Sequence, residues 1–277
     1  MKNSYKITLL ITLFITLIAS AQEKLKGNKE VTTENRPLSE FTKIEVIDNI
    51  DVLLAYGENQ SVSVETDSNL QHAILTTVNN GMLSIKINNK ISKKKELVVH
   101  IRVNKGFKEI NSYNSSNIKS NNSLIIDSLT INAFDNSDYN LQINSKIINI
   151  NSKKNSDLKL QILSDKIFVI GEESSTIKGT FDSKEAIFKL LDKSSVNIDG
   201  STTIFEIETL GNTSFKGKDF KAKNAVLNVT NSSDTYVNAI ETIDIRAKNS
   251  SNVYLYSNPK IKITEFLDKA SLNKKEL

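Results

Sequence analysis

A repeat of about 19 residues is the feature that most constrains what this chain can fold into. Its apolar positions are separated by 21, 19, 19, 19, 19, 20, 18 and 19 residues, with one slipped unit at Thr235. They are Ile118, Tyr139, Leu158, Ile177, Val196, Phe215, Thr235, Val253 and Leu272. Two residues before each lies a second column, in which eight of the nine members carry a hydroxyl: Ser116, Ser137, Ser156, Ser175, Ser194, Thr213, Ser233, Ser251 and Ala270.

Inside each repeat the apolar residues alternate with polar ones. Eight residues before the column serines come Leu129, Ile148, Ile167, Ala186, Phe205, Ala225 and Ile243, and six before come Ile131, Ile150, Val169, Phe188, Ile207, Leu227 and Ile245. A period of two predicts strands, and constant spacing of like residues predicts parallel coils stacked in register. The sequence therefore predicts an all-β fold, a right-handed parallel β-helix (β-solenoid) with about 19 residues per coil.

The serine column is interpreted as the small, inward-facing corner of each coil. A hydroxyl or methyl fits there, and the hydroxyl can bond to nearby backbone. Asn and Asp beside it, as in Asp135-Asn136, tolerate positive φ. A row of nucleophiles is the disfavoured alternative, because no histidine recurs with the column; His72 and His100 both precede the repeats.

Residues 38–107 lack the column and predict an irregular amino-terminal β cap. We expect a hairpin at Tyr56–Asn59, a short helix at Leu70–Leu75 and a tight turn at Asn79–Gly81. Residues 22–37 are charged and predict a flexible lead-in. The expected organisation is one β-helix domain over 38–266, with 267–277 as a carboxyl-terminal tail.

The amino terminus has the pattern of a secretory signal peptide over residues 1–21. Lys2 and Lys6 precede an apolar run, and Ala19-Ser20-Ala21 resembles a cleavage site. We expect export by the Sec pathway to the periplasm, the cell surface or the medium, with no membrane span after cleavage. The chain has no cysteine, so we expect neither a lipoprotein anchor nor disulfides.

The balance of charge gives no indication of a nucleic-acid partner. The formal charge is +4, and loss of Lys2 and Lys6 with the signal leaves +2. Lysines are scattered along the chain rather than clustered, which is typical of solvated strand faces that resist edge-to-edge aggregation.

Two segments resemble the GIN-domain family, described as "putative autotransporter adhesin" head domains of Bacteroidota. The first runs from Phe41 to Val46 and on through Ile50–Leu54, Gly57-Glu58 and Val62–Glu65. The second is Tyr254–Ile261, similar to the family's closing Gly-Asn-Pro motif, with Ser257 in place of glycine. The resemblance covers roughly residues 38–264 and implies a β-helix and an exported location. The turns depart from the family's Ser-Gly-Ser-Gly pattern.

The main functional hypothesis is a non-enzymatic, adhesin-like binding module that presents a long rigid face to a cell-surface glycan or an envelope protein. Tyr254 and Tyr256 alternate with Val253 and Leu255, so we expect them to point outward and to form a contact patch. Covering the sheet surface is the equal alternative for these two tyrosines.

Two other functions stay open at this stage. A polysaccharide lyase or hydrolase would need paired carboxylates, and Asp138 and Asp157 are expected to stack on adjacent coils, with Lys159 nearby. Both aspartates are more simply interpreted as turn residues. A purely structural envelope rod is the third option. The sequence assigns no catalytic residue, no metal site and no cofactor.

Overall fold

The computed structural model describes residues 24–277, so the proposed signal peptide lies outside the described residues. They form 21 strands and a short 3-10 helix, and about two thirds of the chain is strand. In chain order these are β1 (Leu25–Lys26), β2 (Val31–Asn35), β3 (Lys43–Val46), β4 (Asp51–Tyr56), β5 (Ser61–Asp67), the 3-10 helix (Ser68–Ala73), β6 (Ile74–Asn79), β7 (Met82–Ile87), β8 (Ile91–Lys93), β9 (Leu97–Val103), β10 (Glu109–Ser112), β11 (Asn117–Ser120), β12 (Leu124–Ala133), β13 (Asp138–Ser152), β14 (Asp157–Gly171), β15 (Thr176–Leu191), β16 (Ser195–Leu210), β17 (Ser214–Thr230), β18 (Asp234–Ala247), β19 (Asn252–Tyr256), β20 (Lys260–Phe266) and β21 (Ser271–Lys274).

The strands from β10 onward stack as parallel coils, as the repeat predicts. Leu158 pairs with Tyr139 on one side and with Ile177 on the other, so like positions lie above one another at steps of 19 residues. The slipped unit also pairs as expected, with Thr235 beside Phe215 and Val253. The inward columns are buried up to β19 and form one continuous core, whereas Ile261 and Ile263 in β20 are exposed. The β-solenoid, of about nine turns, is therefore confirmed.

Each coil closes in a tight turn whose two central residues both have positive φ, as in a type I′ turn. These pairs are Asn114-Ser115, Asp135-Asn136, Lys154-Asn155, Glu173-Ser174, Asp192-Lys193, Gly211-Asn212, Asn231-Ser232, Asn249-Ser250 and Asp268-Lys269. The turns also bond to one another, since Asn136 N donates to Lys154 O (3.0 Å) and Asn155 N to Glu173 O (3.1 Å). Stacking thus holds non-glycine residues in a left-handed conformation.

The column serines follow these turns and are buried, as predicted. Ser137 Oγ donates to Phe134 O at 2.6 Å, and Ser233 Oγ donates to Thr230 O, also at 2.6 Å. Each of these hydroxyls bonds to the carbonyl three residues earlier and so closes its own turn. Buried hydroxyls used in this way are structural groups, which agrees with the corner interpretation, whereas the buried hydroxyls of Ser175 and Ser194 have no hydrogen-bond partner among the described residues.

A second corner, whose position was not predicted, divides each coil into two arms. Alternation of buried and exposed residues fails between Ser145 and Ile148, where Lys146 and Ile147 are both exposed. The inward residues at this corner are again small: Ser145 and Ser164 bond across coils at 3.3 Å, and Ser183 donates to Thr202 at 3.0 Å. The first arm precedes this corner and the second arm follows it.

The amino-terminal region forms an irregular cap, as expected, with a different topology in detail. The Asn80-Gly81 turn joins antiparallel β6 and β7. The predicted hairpin after Tyr56 is wrong, because β9 lies between β4 and β5, parallel to the first and antiparallel to the second. The expected helix is a 3-10 helix that begins at Ser68 and ends at Ala73, and Leu75 lies in β6.

Both ends of the predicted domain are more regular than the sequence indicated. Within the lead-in, β2 pairs antiparallel with β5, and β1 pairs with β8. Gln71 Nε2 donates to Thr32 O at 2.8 Å and so holds β2 against the 3-10 helix. At the other end, β21 lies inside the expected tail and pairs in parallel with β19. The charged, polar sequence of β1 and β2 gives no strand pattern, and their partners β8 and β5 are distant in the chain.

Candidate functional site

The structure places Asp138 and Asp157 on adjacent coils, where they pair directly as predicted. Burial and then the charge of Asp157 raise the pKa of Asp138, and Lys119 opposes this. Asp157 is ion-paired with Lys178 Nζ at 2.9 Å, and the column continues as Thr176. Within residues 24–277 there is no cluster of three or more histidine, cysteine, aspartate or glutamate side chains that could hold a metal.

The two predicted tyrosines have different environments. Tyr254 stacks on Tyr236, with ring centroids 4.3 Å apart and planes 12° from parallel. Lys275 Nζ lies over the Tyr254 ring, 5.3 Å from the ring centroid. The two rings stack at nearly the distance between neighbouring coils, so their faces point along the solenoid axis. Each ring therefore covers the other, and mainly the ring edges are exposed to solvent.

Tyr256 does not take the accessible position expected for it. Only 8% of it is exposed, and Lys218 Nζ lies 5.9 Å from its ring centroid. Lys218 lies in a bulge of β17 near Gly217–Lys221, two 19-residue periods before Tyr256. Five coil steps, about 24 Å, separate Tyr254 from Asp157. The structure therefore does not bring the four predicted residues together into one site.

A groove on the outer surface of the first arm, beside the second corner, is the strongest candidate site, and we name it the corner groove. It consists of two adjoining cavities of 540 and 440 Å³ that share Asn144, Leu163 and Asp182. Its main lining residues are Ile125, Asp127, Gln142, Asn144, Lys146, Gln161, Leu163, Asp165, Thr180, Asp182, Lys184 and Ser201. From β12 to β16 it crosses four coil steps, about 19 Å.

The floor of the corner groove is built from columns in register. One column runs through Ile125, Asn144, Leu163, Asp182 and Ser201, each paired with the next. Beside it, Gln142 pairs with Gln161 and Gln161 with Thr180. Leu163 is 58% exposed and Ile125 is 50% exposed, so two apolar side chains lie among amides and hydroxyls. Such a surface offers apolar contact together with donors and acceptors.

The rim of the corner groove carries charges that neutralise one another. Lys146 Nζ lies 3.0 Å from Asp127, and Lys184 Nζ lies 2.7 Å from Asp165. The hydrogen bond from Lys146 lowers the pKa of Asp127. Ser201 Oγ donates to Asp182 at 2.7 Å. Because its lysines are paired with aspartates, the groove has no strong net electrostatic potential. Such a groove is compatible with an uncharged polar ligand.

Sequence reasoning missed the corner groove although a signal was present. Ser145, Ser164, Ser183 and Thr202 recur at 19-residue intervals and mark the second corner. The outward residues beside them look like ordinary polar strand positions, because only the stacked coils reveal that they share one concavity.

The fold and the site define a β-solenoid with a polar groove on an outer face. Residues 40–259 match the family model "Putative auto-transporter adhesin, head GIN domain". The chain belongs to this family. No helix among the described residues has the length and apolar character that a membrane crossing requires.

Solved structures share the fold at low sequence identity. A "putative adhesin" from Parabacteroides distasonis matches with a TM-score of 0.63 and 14% identity, over 92% of this chain and 100% of the other. A "putative adhesin" from Parabacteroides merdae gives 0.62 and 14%, over 91% and 99%. A "putative lipid binding protein" from Parabacteroides distasonis gives 0.62 and 18%, over 91% and 100%. Among curated proteins, none matches the chain.

Proposed function

We propose that this protein is an exported, non-enzymatic, adhesin-like module that binds a neutral glycan in the corner groove. The observation that carries the proposal is the column of Ile125, Asn144, Leu163, Asp182 and Ser201, which offers two apolar and three polar side chains along about 19 Å. A sugar chain likewise presents apolar C–H faces between hydroxyls. Membership of a family described as adhesins supports the same class of function.

Charge pairing on the groove rim is the reason to propose a neutral ligand rather than an acidic one. Lys146 and Lys184 are held by Asp127 and Asp165, so an anionic polysaccharide would have to displace these carboxylates. Shallow sites of this kind bind weakly one at a time, and adhesion then depends on several copies acting together.

The test is a glycan-binding screen on the mature chain with neutral and acidic oligosaccharides, followed by titration of the hits. Leu163→Asp places a charge on the groove floor and is expected to weaken binding at least tenfold. Val226→Asp is the matched control, because Val226 is an exposed apolar residue on the second arm. Equal binding by both variants, or hits among acidic glycans alone, would contradict the proposal.

The absence of catalysis is part of the proposal and has its own test. Asp138 and Asp157 do not line the corner groove, and Asp157 is engaged by Lys178. We expect no depolymerisation of neutral or acidic glycans by the mature chain. Product release that disappears in Asp157→Asn would establish the hydrolase or lyase alternative instead.

A further inference from the structure

The chain crosses from β7 on the second arm to β9 on the first arm through a long loop rather than a tight turn. Residues 88–96 form this loop, which includes the short strand β8. The lead-in holds the loop in place, because β8 pairs with β1 and Ser92 Oγ donates to Leu25 O at 2.9 Å. This loop and the turn at Asp48-Asn49 line a cavity of 480 Å³, which we name the loop cavity.

Lysine side chains dominate the charge of the loop cavity. Lys90, Lys93 and Lys94 line it, against the single carboxylate of Asp48, so the lining has a formal charge of +2. Asp48 Oδ2 accepts a hydrogen bond from Ile87 N at 3.2 Å, which holds this carboxylate at the base of the loop. Within residues 24–277, none of the three lysines forms an ion pair. The cavity therefore differs from the corner groove, whose lysines are paired with aspartates.

A fourth lysine increases the unbalanced positive charge of the loop. In the ladder between β1 and β8, Lys26 lies directly opposite Lys93, at the strand spacing of about 4.8 Å. Like charges in this arrangement repel each other and weaken the strand pairing. An anion near Lys93 would reduce this repulsion, so the ladder is a second indication of a negatively charged ligand.

Lys94 has the least favourable environment for a positive charge. Its side chain reaches solvent, but the atoms packed around the amine desolvate it and so lower its pKa. The charges of Asp51 and Glu96 oppose this shift of the pKa, although neither residue forms an ion pair with the amine. A bound anion would supply the countercharge that this amine lacks.

We propose that the loop cavity binds a phosphate group carried on a sugar. A phosphomonoester has a charge of about −1.5 to −2 at pH 7, which balances the charge of the lining. A carboxylate is best recognised by the planar fork of an arginine, whereas lysine binds phosphate as a point charge. Among the described residues, the cationic side chains that line the cavity are all lysines.

The remaining lining residues are the reason to propose a sugar rather than phosphate alone. Asn49, Asn88 and Asn89 lie in the same cavity, and their amides can both donate to and accept from hydroxyl groups. Ile91 and Leu97 add apolar contact. The volume lies within the range of small-molecule sites, about 300–1,000 Å³.

The loop cavity is separate from the corner groove. It lies where the chain passes from the second arm to the first, on the side of the tight turns, whereas the corner groove adjoins the second corner. The two sites share no lining residue. Binding of a sugar phosphate therefore does not depend on what the corner groove binds, and either proposal can fail alone.

Calorimetric titration of the mature chain with glucose 6-phosphate, mannose 6-phosphate and the two unmodified sugars tests the proposal. We expect the phosphates to bind, and to bind equally well to Leu163→Asp, in which the corner groove is altered. Lys90→Gln/Lys94→Gln removes two positive charges and is expected to weaken phosphate binding by about tenfold or more. Lys159→Gln/Lys216→Gln is the matched control, because these exposed lysines lie on β14 and β17, four or more coil steps from β9.

Vesicles distinguish a free sugar phosphate from one linked to lipid. Phosphatidylcholine vesicles that contain a phosphorylated glycolipid are compared with vesicles in which phosphatidylglycerol supplies the same negative charge. Co-sedimentation with the first kind alone identifies a lipid-linked ligand, and binding of the free hexose phosphates identifies a soluble one.

Binding of either form that is lost in Lys90→Gln/Lys94→Gln supports the proposal, provided that circular dichroism shows the variant to be folded. Binding of neither form overturns the proposal. Equal losses in the two double variants, binding to both kinds of vesicle alike, or equal affinity for glucose and glucose 6-phosphate overturn it as well.

Discussion

At the scale of single residues, this chain uses side chains where glycine would be less strained. Glu173, Lys154 and Lys193 all have positive φ, which costs an ordinary residue about 1–2 kcal/mol. Their backbone groups are stacked and hydrogen-bonded from coil to coil, and this register offsets the cost. The fold therefore tolerates non-glycine residues where the family has glycine-rich turns. Replacing such a residue by glycine should nevertheless increase the stability of the protein.

We expect Glu173→Gly to raise the free energy of unfolding by about 0.5–1 kcal/mol, because glycine adopts positive φ without strain. Urea unfolding monitored by circular dichroism measures the change. Glu206→Gly, at an exposed position within β16, is the matched control and is expected to destabilise by a similar amount. Destabilisation by both substitutions would show that the turn is not strained.

Asp67 is the buried charge that holds the amino-terminal cap together. Its carboxylate accepts hydrogen bonds from the backbone N–H groups of Lys29 and Lys95, the latter at 2.7 Å. Burial alone raises the pKa of this carboxyl, but the backbone donors lower it more, so the net pKa is below its ordinary value. Cap stability should therefore depend on the ionised form.

We expect Asp67→Asn to lower the free energy of unfolding by about 1–3 kcal/mol at pH 7. Since the folded-state pKa is depressed, the contribution of Asp67 is present above its unfolded pKa of about 4 and is lost as the pH falls through the folded value. The difference from wild type should thus be constant from pH 7 to about 4 and then shrink. Asp199→Asn, an exposed position, is the control.

At the scale of elements, large and small residues alternate between neighbouring strands so that coils can approach. Gly200 in β16 pairs with Phe181 on one side and Phe220 on the other. A Cβ at Gly200, where φ is 111°, would lie 2.3 Å from the carbonyl oxygen of Phe181. The aromatic core of β15–β17 therefore requires a glycine at this place.

We expect Gly200→Ala to destabilise the protein by more than about 3 kcal/mol, because backbone atoms of β15 would have to move. Gly211→Ala is the control, since Gly211 also has positive φ but its Cβ would meet no atom closer than 3.5 Å. We expect this turn variant to lose only about 1 kcal/mol. Thermal denaturation of the two variants should separate them clearly, and equal losses would contradict the packing argument.

At the scale of the whole molecule, each coil is stabilised only by its neighbours, so stability follows position along the axis. The central strands β13 to β18 have a coil on both sides, whereas β20 and β21 have one. The amino-terminal end is closed by a folded cap. Local opening should therefore begin at the carboxyl-terminal end.

We expect hydrogen exchange to be fastest in residues 260–274, slowest in β13–β17 and intermediate in β2 and β6. Mass spectrometry of peptides along the chain gives the profile. Uniform protection up to residue 274 would show that the last coil is stabilised by something other than its single neighbour.

Much of this fold could be predicted from sequence, because residues that recur at a constant spacing lie beside one another in neighbouring coils. The columns through Ser137 and Leu158 identify strand period, coil length and inward faces at once. The cap could not be predicted in the same way, since β4, β9 and β5 pair out of chain order. Of the candidate residues, the Asp138–Asp157 pairing followed from the spacing, but the burial of Tyr256, whose ring lies near Lys218 of another coil, did not.

Sequence by itself determined the β-solenoid, its period, its buried serine corners and its family, because these are local patterns repeated at constant spacing. Only the tertiary structure decided which outward residues share the corner groove, how the tyrosines stack and which end of the core is exposed. Those features arise between coils and at the two ends of the stack. There the neighbours of a residue are set by turns, bulges and caps, and no longer by its place in the repeat.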